Sequence, residues 1–260
     1  MVRLRGNLGS FASVHGHKNM KRPEIGIWNV IGDSLVIEAI AAQLDFIILD
    51  LEHGFRDFAL FQANLRSAQR YSDQVYVRVR SFDDPWIQAL LDIGVANFIV
   101  PQIRSVQEFQ DFVKATSFPP DGSRGTHPRF EAYLERNSKQ SSMRNVRRCL
   151  IIETKESVEL IGDFCQLDSV DEIYIGTFDL GAEFGINQFI EPEKLIVLLS
   201  SICRVTEEYN KPLISMLGNS ALEGFFASIK VQKRVVGIDQ LILTNEVAKI
   251  VNQLTAGFGN

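Results

Sequence analysis

Two acids stand where apolar runs end. Glu153 closes the stretch RCLIIE, and Asp179 follows the stretch DEIYI within Gly176-Thr177-Phe178-Asp179-Leu180. Hard divalent cations prefer oxygen ligands, and Mg²⁺ or Mn²⁺ often takes one or two carboxylates and completes its shell with water and substrate oxygens. The pair is therefore a candidate metal site. The competing reading makes each acid a helix cap or a solvated loop charge, and Asp179 before Leu180 suits a cap. His53, in Asp50-Leu51-Glu52-His53-Gly54, is a candidate general base or else a packed histidine. Arg78 is flanked by Val77 and Val79 and so faces away from both; it needs an anion, either a structural carboxylate or a substrate oxyanion.

The remaining titratable groups point less sharply. His15 and His17 form an HGH pair with no third ligand nearby, which fits a solvated arm. His127 lies in a long connection from which it can approach the same site. Arg144, Arg147 and Arg148 form a basic run that fits a solvated face or a subunit contact better than a site for an anionic substrate tail.

The elements that must position these groups are legible as eight β-rich runs, at 25–30, 45–51, 74–80, 96–100, 148–153, 171–175, 211–216 and 234–238. Most are almost continuously apolar, as strands buried on both faces are. Helical spacing fills the intervals, with later helices expected over 156–167, 192–208, 219–230 and 240–255. Eightfold strand–helix alternation predicts an α/β fold of the (β/α)8 TIM-barrel type, with a doubly wound open sheet as the alternative. A barrel carries its chemistry at the C-terminal ends of its strands, where Asp50 to His53, Arg78, Glu153 and Asp179 all fall. The domain reading is an N-terminal arm or short helix over 1–24, then one barrel over 25–260 with a long connection at 117–147.

Composition excludes several classes. The 260 residues carry a net charge of -5, so there is no cationic footprint for nucleic acid. No apolar run approaches a membrane span. Cys149, Cys165 and Cys203 form no CxxC and are odd in number, which argues against a disulfide framework and for reduced, buried thiols in the cytoplasm. The first 22 residues are basic and free of acids, but lack the long amphipathic stretch of a transit peptide.

Several segments together resemble a known family. GIWNVIGDSLVIEAIAAQLDFIILDLEHG, VRVRSFDDPWIQALLDIGVANFIVPQI, FPPDGSRG and IIETKESVELI with GTFDLGAEFG are similar to the HpcH/HpaI aldolase family, with the elements EHG, VR, LLDxG, PPxGxRG, IET and DL in family order. The resemblance runs from about Gly26 to Gly185 and weakly on to Asp239. It implies a (β/α)8 barrel with an exchanged C-terminal helix, in a homo-oligomer, hexamer or dimer. It implies a class II aldolase acting on small 2-keto acids with a divalent metal (Mg²⁺, Mn²⁺ or Co²⁺) held by Glu153 and Asp179. His53 would assist proton transfer and Arg78 would neutralise the enolate oxygen. Asp92, otherwise a surface helix charge, would reach the site of a neighbouring subunit.

The family pattern is broken in places. Ile151 stands where the family often has Gln, and Thr177 and Phe178 replace small or rigid residues, so these three are candidate substrate-binding positions. Phe178 is expected to narrow or reshape the pyruvate pocket. Gly181 and Leu44 also depart from common family choices. Two other readings stay open. One is a citrate-synthase-like enzyme joining oxaloacetate and acetyl-CoA, as some members do for siderophores. The other is a non-catalytic keto-acid-binding or structural subunit.

Overall fold

Along each strand successive side chains point to opposite sides, and here both sides are apolar. Ile27, Ile47, Leu49, Val77, Ile152 and Ile173 belong to a core shared with the surrounding helices. Trp28, Ile48, Tyr76, Ile99, Ile151 and Tyr174 form a second, separate core. Two cores on opposite faces of one set of strands require a sheet covered outside by helices and filled inside by its own side chains. The computed structural model, which describes residues 22–125, 146–216 and 220–256, has that architecture.

The strands are β1 (Glu24–Asn29), β2 (Phe46–Asp50), β3 (Val75–Arg78), β4 (Asn97–Val100), β5 (Arg147–Ile152), β6 (Glu172–Ile175), β7 (Leu213–Met216) and β8 (Lys233–Ile238). Each pairs in parallel with the next, and β8 returns to β1, closing the barrel. That closure rules out the open sheet. Gly26 points inward, where a Cβ would lie 2.4 Å from the Phe46 ring, so its missing side chain is what admits Phe46 to the barrel interior.

The helices among the described residues are α1 (Ser34–Ala41), α2 (Phe58–Gln69), α3 (Ile87–Asp92), α4 (Val106–Thr116), α5 (Lys155–Glu159), α6 (Ile161–Gln166), α7 (Thr177–Phe184), α8 (Pro192–Glu208), α9 (Ser220–Ser228) and α10 (Asp239–Thr255). Their starts follow from capping chemistry: Asp33, Asp57, Ser105 and Thr154 each accept from a backbone amide of the first turn. Two expectations change. The helix expected over 156–167 is split at Leu160 into α5 and α6. After β6 a helix not among those expected, α7, carries Thr177, Phe178 and Asp179.

Cys149, Cys165 and Cys203 are buried and unpaired. Arg147 is exposed, as a solvated face requires, and pairs with Glu172, whereas Arg148 is half-buried and donates to Thr116 and Ser117 at the end of α4. His15, His17, His127 and Arg144, with most of the 1–24 and 117–147 segments, lie outside the described residues. No helix among the described residues is long and apolar enough to cross a membrane.

Candidate active site

Strand register places the charged groups side by side. Asp50 and Arg78 are direct partners in the β2–β3 ladder, so both side chains enter the C-terminal mouth of the barrel. Arg78 donates from Nε and Nη2 to Asp50 at 2.8 and 2.5 Å, and Nη1 lies 2.7 Å from Glu52. Its guanidinium stacks on the Trp28 ring, 4.5 Å from the centroid. Burial opposes the charge on Arg78, but the Asp50 bonds and the flanking carboxylates outweigh it and raise its affinity for the proton. Both sequence alternatives therefore meet in one side chain: Arg78 has structural carboxylates and also lines the cavity.

Trp28 is itself held. Its indole N–H donates to the Tyr174 hydroxyl at 2.7 Å in the buried interior. The chain Tyr174–Trp28–Arg78–Asp50 thus runs across the mouth from β6 to β2. Sequence reasoning placed Asp50 and Glu52 on the rim without giving them a role, and it missed Trp28 and Tyr174. The inward register of the strands was the available signal for Asp50, since residues 46, 48 and 50 share a face.

Glu153 follows β5 and is 2% exposed. Its carboxylate accepts the Gln102 amide at 2.7 Å. Gln102 holds φ at 56°, a left-handed conformation that costs a non-glycine residue of order 1 kcal/mol. The loop after β4 is thus turned, against local preference, to aim that amide at Glu153. Burial, opposed by the Gln102 bond and reinforced by the charges of Asp179 and Glu52, pushes the Glu153 carboxyl up to about 7. Thr154, not Glu153, caps α5, so the cap reading of Glu153 fails. Asp179 sits in the first turn of α7 after Gly176 at the cap position, so it is no cap either. A Cβ on Gly176 would stand 2.9 Å from Glu153 Cβ and 3.2 Å from its Oε2, so glycine keeps the space around that carboxylate open.

The donor set fits a hard divalent cation. Carboxylates gather with too little positive charge to balance them, and the glycine cradle leaves room beside one of them. No group of three or more His, Cys, Asp or Glu arranged for a metal exists among the described residues, so the fit is to a two-carboxylate site completed by other oxygens.

A cavity of about 410 Å³ joins these groups. Asp50, Arg78, Glu153 and Asp179 line one part, with His53 at the edge; Ile151, Thr177 and Phe178 also line it. The His53 side chain is 70% exposed, with Nε2 3.9 Å from Glu52, so the packed-histidine reading does not hold. Ile151 and Thr177 are buried, while Phe178 is half exposed and pairs with Phe189, rings 6.2 Å apart. Phe178 thus stands on the rim as a wall. Asp92 does not join the cavity: it ends α3 on the surface and accepts from Gln88 at 2.7 Å.

The closed parallel barrel gathers a carboxylate pair, a buried arginine and an exposed histidine at its C-terminal mouth, the end where barrel enzymes carry their chemistry. The comparisons make this specific. Residues 28–218 match the family model HpcH/HpaI aldolase/citrate lyase, and the chain belongs to that family, whose chemistry is that of carbon–carbon lyases. It is 28% identical over 251 residues to the 4-hydroxy-2-oxo-heptane-1,7-dioate aldolase of Escherichia coli, covering 92% of this chain and 91% of that one. The corresponding Salmonella typhimurium enzyme is 27% identical over 244 residues, with the same coverage of 92% and 91%. Among solved structures, the citrate synthase SbnG is similar at TM-score 0.77 and 26% identity, covering 91% of this chain and 95% of that chain. The HpcH/HpaI aldolase of Desulfitobacterium hafniense DCB-2 shares the fold at TM-score 0.78 and 23% identity, covering 90% and 93%.

Proposed function

We propose that this chain is a divalent-metal-dependent aldolase that cleaves or forms 4-hydroxy-2-keto acids through a pyruvate enolate. The observation that carries the reading is the charge imbalance at the mouth: Asp50, Glu52, Glu153 and Asp179 gather where Arg78 is the one guanidinium or ammonium group lining the cavity among the described residues, and burial, reinforced by Asp179 and Glu52, pushes the Glu153 carboxyl up to about 7. Glu153 and Asp179 would hold Mg²⁺, Mn²⁺ or Co²⁺. When bound, such an ion acts as a Lewis acid toward a keto acid's oxygens and lowers the cost of enolate formation.

The chain's own residues supply the rest. Arg78, fixed by Asp50 and stacked on Trp28, presents a positive group to charge developing on the keto oxygen. Preorganised charge of this kind is worth about 10²–10³ in rate. His53, exposed beside Glu52, takes the proton of the 4-hydroxyl as the C3–C4 bond breaks and returns it in the aldol direction. Ile151 and Thr177 bound the keto-acid subsite.

Assembly enters the same reading. Beyond its first turn, which lines the cavity, helix α10 leaves Leu243, Val247, Ile250, Val251 and Leu254 exposed, which supports exchange or packing of that part of the helix in a homo-oligomer. Asp92, exposed at the end of α3 with Gln88 of the same helix as its partner, would approach a neighbour's mouth. The unpaired thiols suit the cytoplasm.

The test is pyruvate release from 4-hydroxy-2-keto acids with added Mg²⁺ or Mn²⁺ and an EDTA control. Metal-dependent pyruvate is the expected result. The likeness to a citrate synthase keeps one second reading in view, condensation of oxaloacetate with acetyl-CoA. Citrate formed without pyruvate release would replace the aldolase reading with it, and binding of keto acid without turnover would leave only a non-catalytic role.

A further inference from the structure

The cavity has two unlike parts. In strand order the charged groups belong to β2, β3, β5 and β6 or the turns just after them, whereas Val30, Met216, Ile238 and Leu241, with the neutral Gln240, follow from β1, β7 and β8, and Phe178 on α7 stands between the two sets. At about 410 Å³ the cavity lies in the range of sites for drug-sized ligands and exceeds what a three-carbon keto acid fills. The second part is therefore where the remainder of a longer substrate, or the aldehyde partner, must lie.

Nothing charged waits there among the described residues. The one guanidinium or ammonium group lining the cavity among the described residues is Arg78, already opposed by Asp50 and Glu52; His53 adds an exposed imidazole. Beyond Asp179 the rim carries Arg104, but its guanidinium is engaged by Glu156 at 2.8 Å and Glu183 at 3.5 Å. Even with a divalent cation bound, the four carboxylates of the mouth outnumber the positive charge. A second carboxylate at the far end of the substrate would be desolvated against apolar side chains in a field of its own sign, with no partner. An alkyl or aryl group would instead bury its surface on Phe178, Met216, Ile238 and Leu241, and Phe189 extends that wall outward from Phe178.

We infer that the aldehyde partner of this enzyme is uncharged and apolar, an alkyl or aryl aldehyde, rather than a semialdehyde bearing a second carboxylate such as the heptane-1,7-dioate named for its relatives implies. The inference rests on the aldolase reading. The reaction balances without a further reagent. The C3–C4 bond of the 4-hydroxy-2-keto acid breaks, its electron pair stays on C3 as the enolate, and the 4-hydroxyl proton leaves. The products are one aldehyde and, after protonation at C3, one pyruvate.

Two measurements on the full-length, metal-supplemented protein decide it. The first follows exchange of the pyruvate C3 protons in D₂O by NMR, which reads enolisation with no aldehyde present. The second compares kcat/KM for two 4-hydroxy-2-keto acids of matched length, one ending in an alkyl or phenyl group and one in a carboxylate. Exchange together with a preference of about tenfold or more for the apolar substrate is expected, a ratio worth about 1.4 kcal/mol. Leu241→Lys should then shrink or invert that ratio by supplying the missing cation. Exchange with equal or better use of the carboxylate substrate, or with neither substrate cleaved, overturns the inference while the enolate reading stands. Absence of exchange removes the aldolase reading itself, and this inference falls with it.

Discussion

The two ends of the barrel are built from the same strands and each holds a cluster of charges with a buried centre, yet they are balanced differently. At the N-terminal end Glu172, 3% exposed, accepts from Tyr76 at 2.7 Å, Lys233 at 2.5 Å and Arg147 at 3.2 Å. Lys233 also lies 3.5 Å from Glu24. Two carboxylates there meet two cations and a phenol. At the C-terminal end, among the described residues, Asp50, Glu52, Glu153 and Asp179 share the single guanidinium of Arg78, with the exposed imidazole of His53 beside Glu52. β3 contributes to both, Tyr76 below and Arg78 above; β6 gives Glu172 below and leads into Asp179 above. A buried charge cluster that closes on itself is structural, because each ion's lost hydration is offset by its partner. One left open by its own side chains is waiting for a charge from outside. The contrast is more informative than burial or ionisability alone, since both ends have these in plenty.

The largest expected effects break the open end. Glu153→Gln should abolish divalent-metal binding in calorimetry and reduce turnover by about 10³ or more, while the metal-free variant melts no lower than wild type. Near-normal turnover would remove Glu153 from the site. Arg78→Met should lower kcat/KM by about 10²–10³. Because it also strands Asp50, circular dichroism must show a folded barrel before that loss is assigned to chemistry. The closed end should respond oppositely. Lys233→Met leaves Glu172 one cation short and should cost about 3–5 kcal/mol in urea unfolding, with kcat of the folded enzyme near that of wild type. A large fall in kcat with unchanged stability would mean the two ends are not separable in this way.

The pH response sharpens the same contrast. Glu153, raised to about 7 from an ordinary carboxyl value of 4.5, binds its proton more tightly folded than unfolded. Its contribution to stability is therefore present below about pH 4.5 and is lost as pH rises through about 7. In EDTA, wild-type stability should drop relative to Glu153→Gln across that window, by of order 2–3 kcal/mol. A flat difference would show that the carboxylate is relieved by something other than a metal.

Much of this arrangement was legible in the sequence, for identifiable reasons. Parallel strands buried on both faces produce apolar runs, so all eight strands appear within a residue or two of their expected limits. Glu153 and Arg78 stood out because a charge inside such a run must have a partner. The helix α7 was not legible: it is short, opens with Thr177, Phe178 and Asp179, holds Gly181, all weak helix formers, and starts from an uncapped glycine, so no periodicity announces it. Pairings such as Asp50 with Arg78 depend on strand register, which a pattern of apolar residues does not specify across 28 positions. Asp92 illustrates the opposite limit, since its exposed place on α3 is what composition alone suggests, and only the family resemblance gives it a role.

The smallest effect probes what lies between the two ends. Tyr174 sits in the barrel interior above the Glu172 cluster and touches neither the carboxylates nor the guanidinium, but its hydroxyl receives the Trp28 N–H, and Trp28 carries Arg78 on its face. Burial, opposed by the Trp28 bond, raises the Tyr174 phenol well above its ordinary value, so it stays a neutral acceptor throughout the working pH range. Tyr174→Phe keeps the ring and removes the acceptor. Leaving a buried indole N–H unsatisfied should cost about 1–3 kcal/mol of stability. If Tyr174 positions Arg78 through Trp28, kcat should also fall several-fold with little change in KM, because only the orientation of charge toward the enolate is disturbed. Stability lost with kcat intact would make Tyr174 a packing residue and leave Arg78 to be oriented by Asp50 and Glu52 alone.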